Sequence, residues 1–471
     1  MDFILASKSK TRCDILQSVM PSFHSVSPNI DEKNIIRSLL MEDTPHYDIP
    51  NVLAEFKAKK ISTKHPGSWV LGCDQILSFD GEVFGKPASN DALCDNLMLM
   101  AGKTHKLITA NVIYKDTKPM WRYTAVSHLK MYSMTKSEIK NYSDTFWHQV
   151  QHSSGGYCFE NTPHLFSTVK GNWFDIMGIS ITQVLQFLKQ HDRSIVGKTP
   201  KIAAVLGSPI SHSKSPIMHC HWLKKNKIAG DYIAIDVSKE KFSQTVKVLA
   251  DVGVSGFNVT LPHKEAALTL ADSHTEQAKK IGAANTLFVD VNGAIKADNT
   301  DGYGFMANLK ANNANWLPSA GSAMVLGAGG AARAILVSLL EAGVPKIYLS
   351  NRTMATSQKL ADHFSPKIEV IDWEKKDTCL SNISLLVNTT SLGMAGKPPL
   401  NINLSSLAKK ALVTDLVYAP IKTPLLVQAE EMGCDIVTGV GMLIHQGVPG
   451  FNGWFGILPK VDNEITELVT R

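Results

Sequence analysis

The sequence predicts an α/β protein of about three domains, the last of which is built on a doubly wound parallel sheet. The chain has 471 residues, which is too long for one ordinary hydrophobic core. Short apolar runs alternate with helical patterns through 201–305 and again through 320–440. The segment 191–200 is mostly polar and contains a glycine and a proline, which is typical of a linker.

These patterns divide the chain into consecutive parts. We predict a first α/β domain over 1–190 and a linker over 191–200. A second α/β domain is predicted over 201–305 and the doubly wound domain over 306–440. The residues from 441 to 471 have a helical pattern, and we expect them to return to the second domain.

The second domain has readable elements. Apolar runs predict strands at 202–206, 231–237 and 255–260, while helical periodicity predicts helices at 215–228 and 239–251. The dipeptide Asn292-Gly293 then predicts a hairpin turn, because both residues tolerate the positive φ that such a turn needs.

Charge and cysteine content exclude several classes of protein. The formal net charge of +6 is small for this length and comes without long basic runs, so we expect no nucleic-acid partner. No apolar stretch reaches membrane-spanning length, and the N-terminus has an acid at Asp2, so we expect neither a membrane span nor a signal peptide. The seven cysteines are scattered and never spaced as Cys-x-x-Cys, which favours reduced thiols in the cytoplasm.

A glycine-rich turn in the third domain predicts a dinucleotide site. The run from Val325 to Ala332 is a strand, a tight turn and a helix start, and the helix amides can receive a pyrophosphate. A basic residue, Arg352, follows the next apolar run where an acid would favour NAD, so the pattern predicts NADP. The predicted cofactor-binding residues are Gly327, Ala328, Gly329, Gly330, Ala331, Asn351, Arg352 and Thr353.

Further polar segments occupy the second half of the chain. They are Ser211-His-Ser-Lys-Ser-Pro216, Asn258-Val-Thr-Leu-Pro-His-Lys264, Gly282-Ala-Ala-Asn285, Asp298-Asn-Thr-Asp301 and Thr438-Gly-Val-Gly-Met-Leu-Ile-His-Gln446. Each one alone is explained by a helix cap or a surface group; Ser213 and Pro216, for example, suit the start of a helix. In order and at these spacings, however, they resemble the shikimate dehydrogenase family over nearly all of 201–471.

The resemblance implies NADP-dependent interconversion of 3-dehydroshikimate and shikimate, a step of aromatic amino acid biosynthesis. It implies Lys264 and Asp301 as the catalytic pair, because a lysine ammonium can stabilise and protonate the oxygen on which charge develops. It places Gly439 at the nicotinamide end of the coenzyme. The substrate-binding residues that it implies are Ser213, Ser215, Thr260, Asn285, Asp301, Tyr418 and Gln446. A preference for quinate is the alternative within the same family.

The first domain contains an acid inside an apolar run. Asp74 lies in Val70-Leu-Gly-Cys-Asp-Gln-Ile-Leu77, and a buried carboxylate needs a cation, a metal ion or a role as a base. An Asp that ends a strand and forms a turn is the simpler interpretation.

The surrounding motifs resemble the Maf family of nucleoside triphosphate pyrophosphatases. They include Leu5-Ala-Ser-Lys-Ser9, Asp31-Glu32, Asp74-Gln75, Gly85-Lys-Pro87 and Gly155-Gly-Tyr-Cys-Phe-Glu160. The resemblance covers about 1–190 and implies hydrolysis of a nucleotide to its monophosphate and pyrophosphate with Mg²⁺ or Mn²⁺. Domains of this family commonly pair, which is compatible with a homodimer.

Roles in this half follow from the same resemblance. Asp74 is the implied catalytic base, and Glu32 and Asp74 are the implied metal ligands. The phosphate and metal environment consists of Ser7, Arg12, Glu32, Lys57 and Lys86. Nucleotide specificity falls to Thr11, Gln75 and Glu160, and the last two resemble the 7-methyl-GTP subgroup.

Three departures leave a second hypothesis open for this half. Lys10 replaces the proline of the family's S-P-x-R-R run, and Cys13 replaces its second arginine. Thr11 also replaces a Trp or Arg at a base-selecting position. The first half is therefore either an active pyrophosphatase or an inactive nucleotide-binding or structural module that is attached to a dehydrogenase.

Overall fold

The computed structural model of the chain describes residues 2–20, 22–191 and 200–470. Most of the linker that we predict at 191–200 lies outside these described residues. Within them, no helix combines the length and the apolar character that crossing a membrane requires.

Residues 2–20 and 22–191 form a mixed sheet with helices around it. Its strands follow the order β2-β1-β3-β5-β6-β7, and β4 pairs with β3. The strand β1 runs parallel to β3, whereas β5 runs antiparallel to it. The strands are β1 (Phe3–Ala6), β2 (His24–Ser25), β3 (Trp69–Phe79), β4 (Glu82–Phe84), β5 (Thr104–Lys115), β6 (Lys118–Met131) and β7 (Phe166–Lys170).

The helices of this part begin at polar caps. Ser9 accepts from the backbone N–H of Arg12, and Asp31 accepts from that of Asn34, so the starts of the first two helices are satisfied as the N-cap rule predicts. The helices are α1 (Lys10–Val19), α2 (Glu32–Met41), α3 (Ile49–Ser62), α4 (Asn90–Met100), α5 (Lys136–Val150), α6 (Trp173–Ile176) and α7 (Ile181–His191).

The position of Asp74 in strand β3 decides between the two interpretations of this residue. This residue lies in the interior of an eleven-residue strand, and the turn comes later, at Asp80-Gly81. Both turn residues have positive φ, at 51° and 80°, which is the conformation of a two-residue hairpin. Asp74 is therefore a buried carboxylate within a sheet, and the simpler interpretation of a strand-ending turn residue is wrong.

The predicted elements of residues 201–300 are present with small shifts at their ends. A short helix follows most strands, and the turn at Asn292-Gly293 joins the last two strands, which are neighbours in their sheet. The elements are β8 (Lys201–Gly207), α8 (Ser215–Lys225), β9 (Gly230–Asp236), α9 (Phe242–Asp251), β10 (Gly256–Val259), α10 (Lys264–Leu270), β11 (Ser273–His274), α11 (Glu276–Ile281), β12 (Thr286–Val289) and β13 (Ile295–Asp298).

Residues 301–470 contain the predicted doubly wound sheet. All neighbouring strands are parallel, in the order β16-β15-β14-β17-β18-β19. The strands are β14 (Ser322–Leu326), β15 (Ile347–Ser350), β16 (Ile368–Ile371), β17 (Ile383–Asn388), β18 (Leu412–Asp415) and β19 (Asp435–Val437). The helices are α12 (Asp301–Asn312), α13 (Gly330–Glu341), α14 (Met354–Phe364), α15 (Pro424–Glu431), α16 (Gly439–Phe455) and α17 (Asn463–Thr470).

The central strand β14 shows why this sheet is covered on both faces. Ala323 and Val325 belong to one buried cluster, whereas Met324 and Leu326 belong to another. Because successive side chains of a strand point to opposite faces, a continuous apolar strand places hydrophobic groups on both sides of the sheet. The fold class predicted from the sequence is therefore confirmed.

The chain forms two compact units, each built from more than one segment of the sequence. One consists of Met1–Ser211, Leu223–Gly256 and Val289–Gly293, and the other of His212–Trp222, Phe257–Phe288 and Ala294–Arg471. All residues predicted for the nucleotide site lie in the first unit. All residues predicted to bind the coenzyme or the substrate of the second half lie in the second unit. The boundaries at 190, 200, 305 and 440 stay predictions.

Candidate functional site

Lys264 and Asp301 form a close ion pair in the second unit. The distance from Lys264 Nζ to Asp301 Oδ2 is 2.5 Å, and the side chains are 18% and 9% exposed. Each residue is the first of its helix, α10 and α12 respectively. A helix N-terminus favours the carboxylate and disfavours the ammonium, so the lysine is in an electrostatically poor place that its acidic partner offsets. A lysine at such an unfavourable position is expected where its ammonium group is needed at that point of the structure.

An amide network surrounds the same carboxylate. Asn285 Nδ2 donates to Asp301 Oδ1 at 2.8 Å and approaches Gln446 Oε1 at 3.3 Å. Thr300 donates from its backbone N–H to Asn285 Oδ1 at 2.8 Å and from its hydroxyl to the carbonyl of Gln446 at 2.8 Å. The structure thus brings together Lys264, Asp301, Asn285 and Gln446 from four separate sequence motifs. Thr300, which lies inside the predicted Asn-Thr-Asp motif, is a member that the sequence analysis did not single out.

The two predicted serines lie at the start of α8. Ser213 Oγ accepts from the backbone N–H of Ser215 at 3.3 Å, and Ser215 is buried. This bond agrees with the simpler interpretation, in which Ser213 helps to begin a helix. Both serines also lie at or next to the start of α8, and a helix start is a place where a carboxylate can bind.

Thr260 and Tyr418 follow the ends of buried strands. Thr260 comes directly after β10, is half-buried and accepts from His263 N–H through its carbonyl. Tyr418 lies three residues after Asp415, the last residue of β18, and burial raises the pKa of its phenol. Among the described residues, the hydrogen bonds that the structure gives for Ser213 and Thr260 are local and do not reach Lys264.

The loop that carries Tyr418 is fixed by a buried carboxylate. Asp415 accepts from Asn388 Nδ2 at 2.9 Å, from the N–H of Val417 at 3.0 Å and from the hydroxyl of Thr423 at 2.7 Å. Burial raises the pKa of Asp415, while these donors favour its ionised form. These three hydrogen bonds therefore fix the loop that leads to Tyr418.

The glycine turn has the shape that a pyrophosphate needs. Gly327 has φ of 106°, and a Cβ there would lie 2.6 Å from Thr389 Oγ1, so only glycine fits. Gly329 precedes the first helical residue, Gly330, and a Cβ at either position would meet no heavy atom within 4 Å. The start of α13 is thus open for a phosphate to approach the backbone. Ala328 is buried and Ala331 half-buried beside this turn.

The basic segment lies at the adjacent strand end. Leu326 is in register with Ser350, and the N–H of Gly327 donates to the carbonyl of Ser350 at 2.8 Å. Asn351 Nδ2 then donates to the carbonyl of Thr353 at 3.1 Å, and Arg352 between them is exposed. The guanidinium of Arg352 is therefore available to a ligand that lies along the ends of β14 and β15.

Gly439 begins α16 in a crowded place. A Cβ there would lie 2.6 Å, 2.7 Å and 2.8 Å from the carbonyl oxygens of Leu416, Val417 and Asp415. Asn308, which the sequence analysis missed, donates to the carbonyl of Thr438 at 2.8 Å. This bond ties α12, which begins with Asp301, to the start of α16.

In the first unit, one lysine joins two carboxylates. Lys57 Nζ lies 2.5 Å from Asp74 Oδ1 and 2.6 Å from Glu32 Oε1, and its side chain is only 6% exposed. Burial raises the pKa of Asp74, although Lys57 and Arg12 oppose this effect. Burial also acts to raise the pKa of Glu32, but Lys57, Lys86 and Arg12 outweigh it, so that pKa lies below its ordinary value. Lys86 and Arg12 therefore contribute positive charge to the surroundings of Glu32.

Arg12 and Gln75 are held by backbone carbonyls. Arg12 donates from Nε to Gly178 at 2.8 Å and from Nη1 to Cys73 at 2.9 Å. Gln75 Nε2 contacts Thr109 Oγ1 at 2.8 Å and the carbonyls of Asp175 and Ile176 at 3.0 Å. These bonds fix both side chains next to β3.

The other predicted residues of this half have weaker links to Asp74. Ser7 is buried at the end of β1 and accepts from the N–H of Ser9 at 3.1 Å. Thr11 is half-buried on α1, and Glu160 is half-buried in a loop, where burial raises its pKa. Among the described residues, no hydrogen bond joins Thr11 or Glu160 to Asp74, so their assignment to nucleotide specificity stays a prediction.

Comparisons with known proteins match the two halves of the chain to different families. Residues 2–191 match the family model described as Maf-like protein. Residues 205–287 match the shikimate dehydrogenase substrate binding domain, and residues 312–395 match the model described as Shikimate / quinate 5-dehydrogenase. The shikimate dehydrogenase (NADP(+)) of Roseobacter denitrificans is 54% identical over 260 residues, which cover 55% of this chain and 94% of that relative.

Two solved structures show the same fold. The shikimate 5-dehydrogenase of Thermus thermophilus in complex with NADP(H) and shikimate is 36% identical, with a TM-score of 0.52, and the match covers 57% of this chain and 98% of the other. The quinate dehydrogenase of Corynebacterium glutamicum in complex with NAD is 30% identical, with a TM-score of 0.54 and the same coverages. Together with the Lys264–Asp301 pair and the open glycine turn, these matches establish that the chain belongs to the shikimate dehydrogenase family and carries a Maf-like domain at its N-terminus.

Proposed function

We propose that residues 201–471 catalyse the NADP-dependent interconversion of 3-dehydroshikimate and shikimate. The observation that carries this proposal is the 2.5 Å contact between Lys264 and Asp301 within the network of Asn285 and Gln446. The relatives' names support the substrate and the coenzyme. Asn285 and Gln446 present amide groups suited to ring hydroxyls, and a site of this kind rejects substrates that leave its buried polar groups unpaired.

The residues of the pair have complementary tasks. Reduced NADP supplies the hydride when it is bound. Lys264 donates a hydrogen bond, and then a proton, to the ketone oxygen as negative charge develops on it. Asp301 accepts from Lys264 and keeps the ammonium in place, while Asn285 holds the other carboxylate oxygen.

The coenzyme fits the residues present. The open start of α13 suits a pyrophosphate. Gly439, which is predicted to lie at the nicotinamide end, packs closely against the backbone carbonyls of residues 415–417. The exposed Arg352, with Asn351 and Thr353, has the charge and the hydrogen-bond donors that suit a 2′-phosphate.

Replacing Arg352 by alanine is expected to raise KM for NADPH by about 10- to 100-fold, the usual value of hydrogen bonds to a charged group. KM for NADH should change little, because NADH lacks the 2′-phosphate. Steady-state kinetics with both coenzymes measure this difference. Lys359→Ala is the matched control, since it removes an exposed charge from the neighbouring helix α14. Equal losses for both coenzymes would assign Arg352 a merely structural role.

The alternative substrate within this family is quinate, and the quinate dehydrogenase structure gives it a specific basis. The Ser213-x-Ser215 pattern and Arg352 favour shikimate and NADP. We expect kcat/KM with NADP to be higher for shikimate than for quinate when oxidation of both acids is compared in one preparation. A preference for quinate would overturn the substrate assignment.

We also propose that the Maf-like domain hydrolyses a nucleoside triphosphate to its monophosphate and pyrophosphate. The observation that carries this proposal is Lys57 between Glu32 and Asp74, with Arg12 and Lys86 nearby. The cations suit phosphate oxygens. Asp74, whose pKa burial raises, suits a base that takes a proton from the attacking water. A 7-methyl-GTP substrate is the finer prediction, because a carboxylate at Glu160 could pair with a cationic base.

A divalent ion fits this donor set in part. Among the described residues no group of three or more His, Cys, Asp or Glu side chains is arranged to hold a metal. Mg²⁺ and Mn²⁺, however, are often bound through one or two carboxylates together with substrate phosphates. Glu32 and Asp74 would hold such an ion, which would neutralise phosphate charge. The alternative hypothesis, a nucleotide-binding or structural module without activity, rests on Lys10, Thr11 and Cys13.

A further inference from the structure

The first compact unit contains a contact between the Maf-like domain and a helix of the dehydrogenase part. The backbone N–H of Trp173, the first residue of α6, donates to the carbonyl of Val252 at 2.9 Å. Val252 is the C-cap of α9. This hydrogen bond satisfies one amide at the start of α6 and one carbonyl at the end of α9.

Two side chains of α9 and of the turn before it extend this contact. Gln244 Nε2 donates to the carbonyl of Ser167 on β7. Lys241 Nζ lies 5.4 Å from the centre of the Tyr132 ring, within the range of a cation–π interaction. The contact therefore runs along the Maf-like domain from β7 to α6.

The same segment forms part of the nucleotide site. The carbonyls of Asp175 and Ile176, at the end of α6, accept from Gln75, which follows Asp74 in β3. The carbonyl of Gly178 accepts from Arg12. The segment 166–178 thus touches the dehydrogenase part at its beginning and positions Gln75 and Arg12 at its end.

We propose that α9 of the dehydrogenase part is a docking surface for segment 166–178, and that this docking holds one wall of the nucleotide site in place. The partner is a segment of the same chain. The inference rests on the proposed function of the Maf-like domain for its effect on turnover, but the docking itself can be measured without turnover. If the pyrophosphatase site depends in this way on α9, which lies outside the Maf-like residues, then joining the two enzymes in one chain has a structural consequence.

The test uses the full chain with the double substitution Lys241→Ala and Gln244→Ala. The matched control is Ser243→Ala with Lys247→Ala, which changes the same helix and the same net charge at exposed positions. Loss of one hydrogen bond and one cation–π contact should accelerate amide exchange over 166–178 by about fivefold to thirtyfold. We expect kcat/KM for pyrophosphate release to fall by a similar factor, while kcat/KM for shikimate stays within about twofold of the wild-type value because α9 is left folded.

Unchanged amide exchange over 166–178 would overturn the docking proposal. Faster exchange confined to 166–173, with 174–178 and pyrophosphate release unaffected, would overturn the link to the nucleotide site. A wild-type chain that releases no pyrophosphate would reject the proposed hydrolase function, and the exchange measurement would still decide whether the segment is docked.

Discussion

Replacing Lys264 by alanine is expected to lower kcat for 3-dehydroshikimate reduction by roughly 100- to 10,000-fold, the range for loss of a general acid. KM for 3-dehydroshikimate should change far less. The ammonium acts on charge that appears on the ketone oxygen only in the transition state, so its loss falls on the chemical step. Asn285 and Gln446, which are proposed to hold the ring hydroxyls, are left intact.

The design needs a charge control and a folding control. Lys280→Ala removes an exposed lysine that pairs with Glu341 at 2.8 Å, and it should leave both kinetic constants unchanged. Lys264→Met keeps most of the side-chain stem, so a loss of kcat shared with Lys264→Ala cannot be assigned to lost packing. Steady-state NADPH oxidation, with thermal unfolding as a check, measures these effects. A wild-type kcat in Lys264→Ala would remove the lysine from its proposed role.

Asp74→Asn is expected to abolish pyrophosphate release from nucleoside triphosphates, with a loss of at least about 100-fold. Asparagine keeps the shape of the side chain but cannot accept a proton from water. Glu32 still pairs with Lys57 at 2.6 Å, so the ammonium is not left without a partner. Because the carboxylate acts only when ionised, and burial raises its pKa, the wild-type rate should fall as the pH is lowered through that pKa.

The assay is pyrophosphate release by the full chain with 7-methyl-GTP, UTP and dTTP, each with Mg²⁺ or Mn²⁺. Asp95→Asn, at an exposed position on α4, is the control for loss of a carboxylate. Reduction of 3-dehydroshikimate by the same preparation reports whether the chain is folded. Turnover by the wild type that disappears in Asp74→Asn would reject the binding-module hypothesis, and equal turnover in both would reject Asp74 as the base.

The sequence predicted the fold well where local patterns are strong. The parallel strands around Val325 read as continuous apolar runs, and the glycine turn has its own φ requirement. The family resemblance also implied that Lys264 and Asp301 form a pair, and the structure brings them into contact although 37 positions separate them.

Other features depend on contacts that no local pattern encodes. Thr300 and Asn308 act through the backbone carbonyls of Gln446 and Thr438, which any residue could supply. The bond from Arg12 to Gly178 spans 166 positions in the sequence. The contact between Trp173 and Val252 joins two backbone groups, so side-chain identity carried no signal for it.

The central claim is that the chain holds two separate reaction sites, each with its own essential side chain. The most direct test measures 3-dehydroshikimate reduction and pyrophosphate release on the same samples of wild type, Lys264→Ala and Asp74→Asn. We expect Lys264→Ala to lose only the reduction and Asp74→Asn to lose only pyrophosphate release. The account is contradicted if either variant, still folded, retains the activity assigned to the residue it lacks.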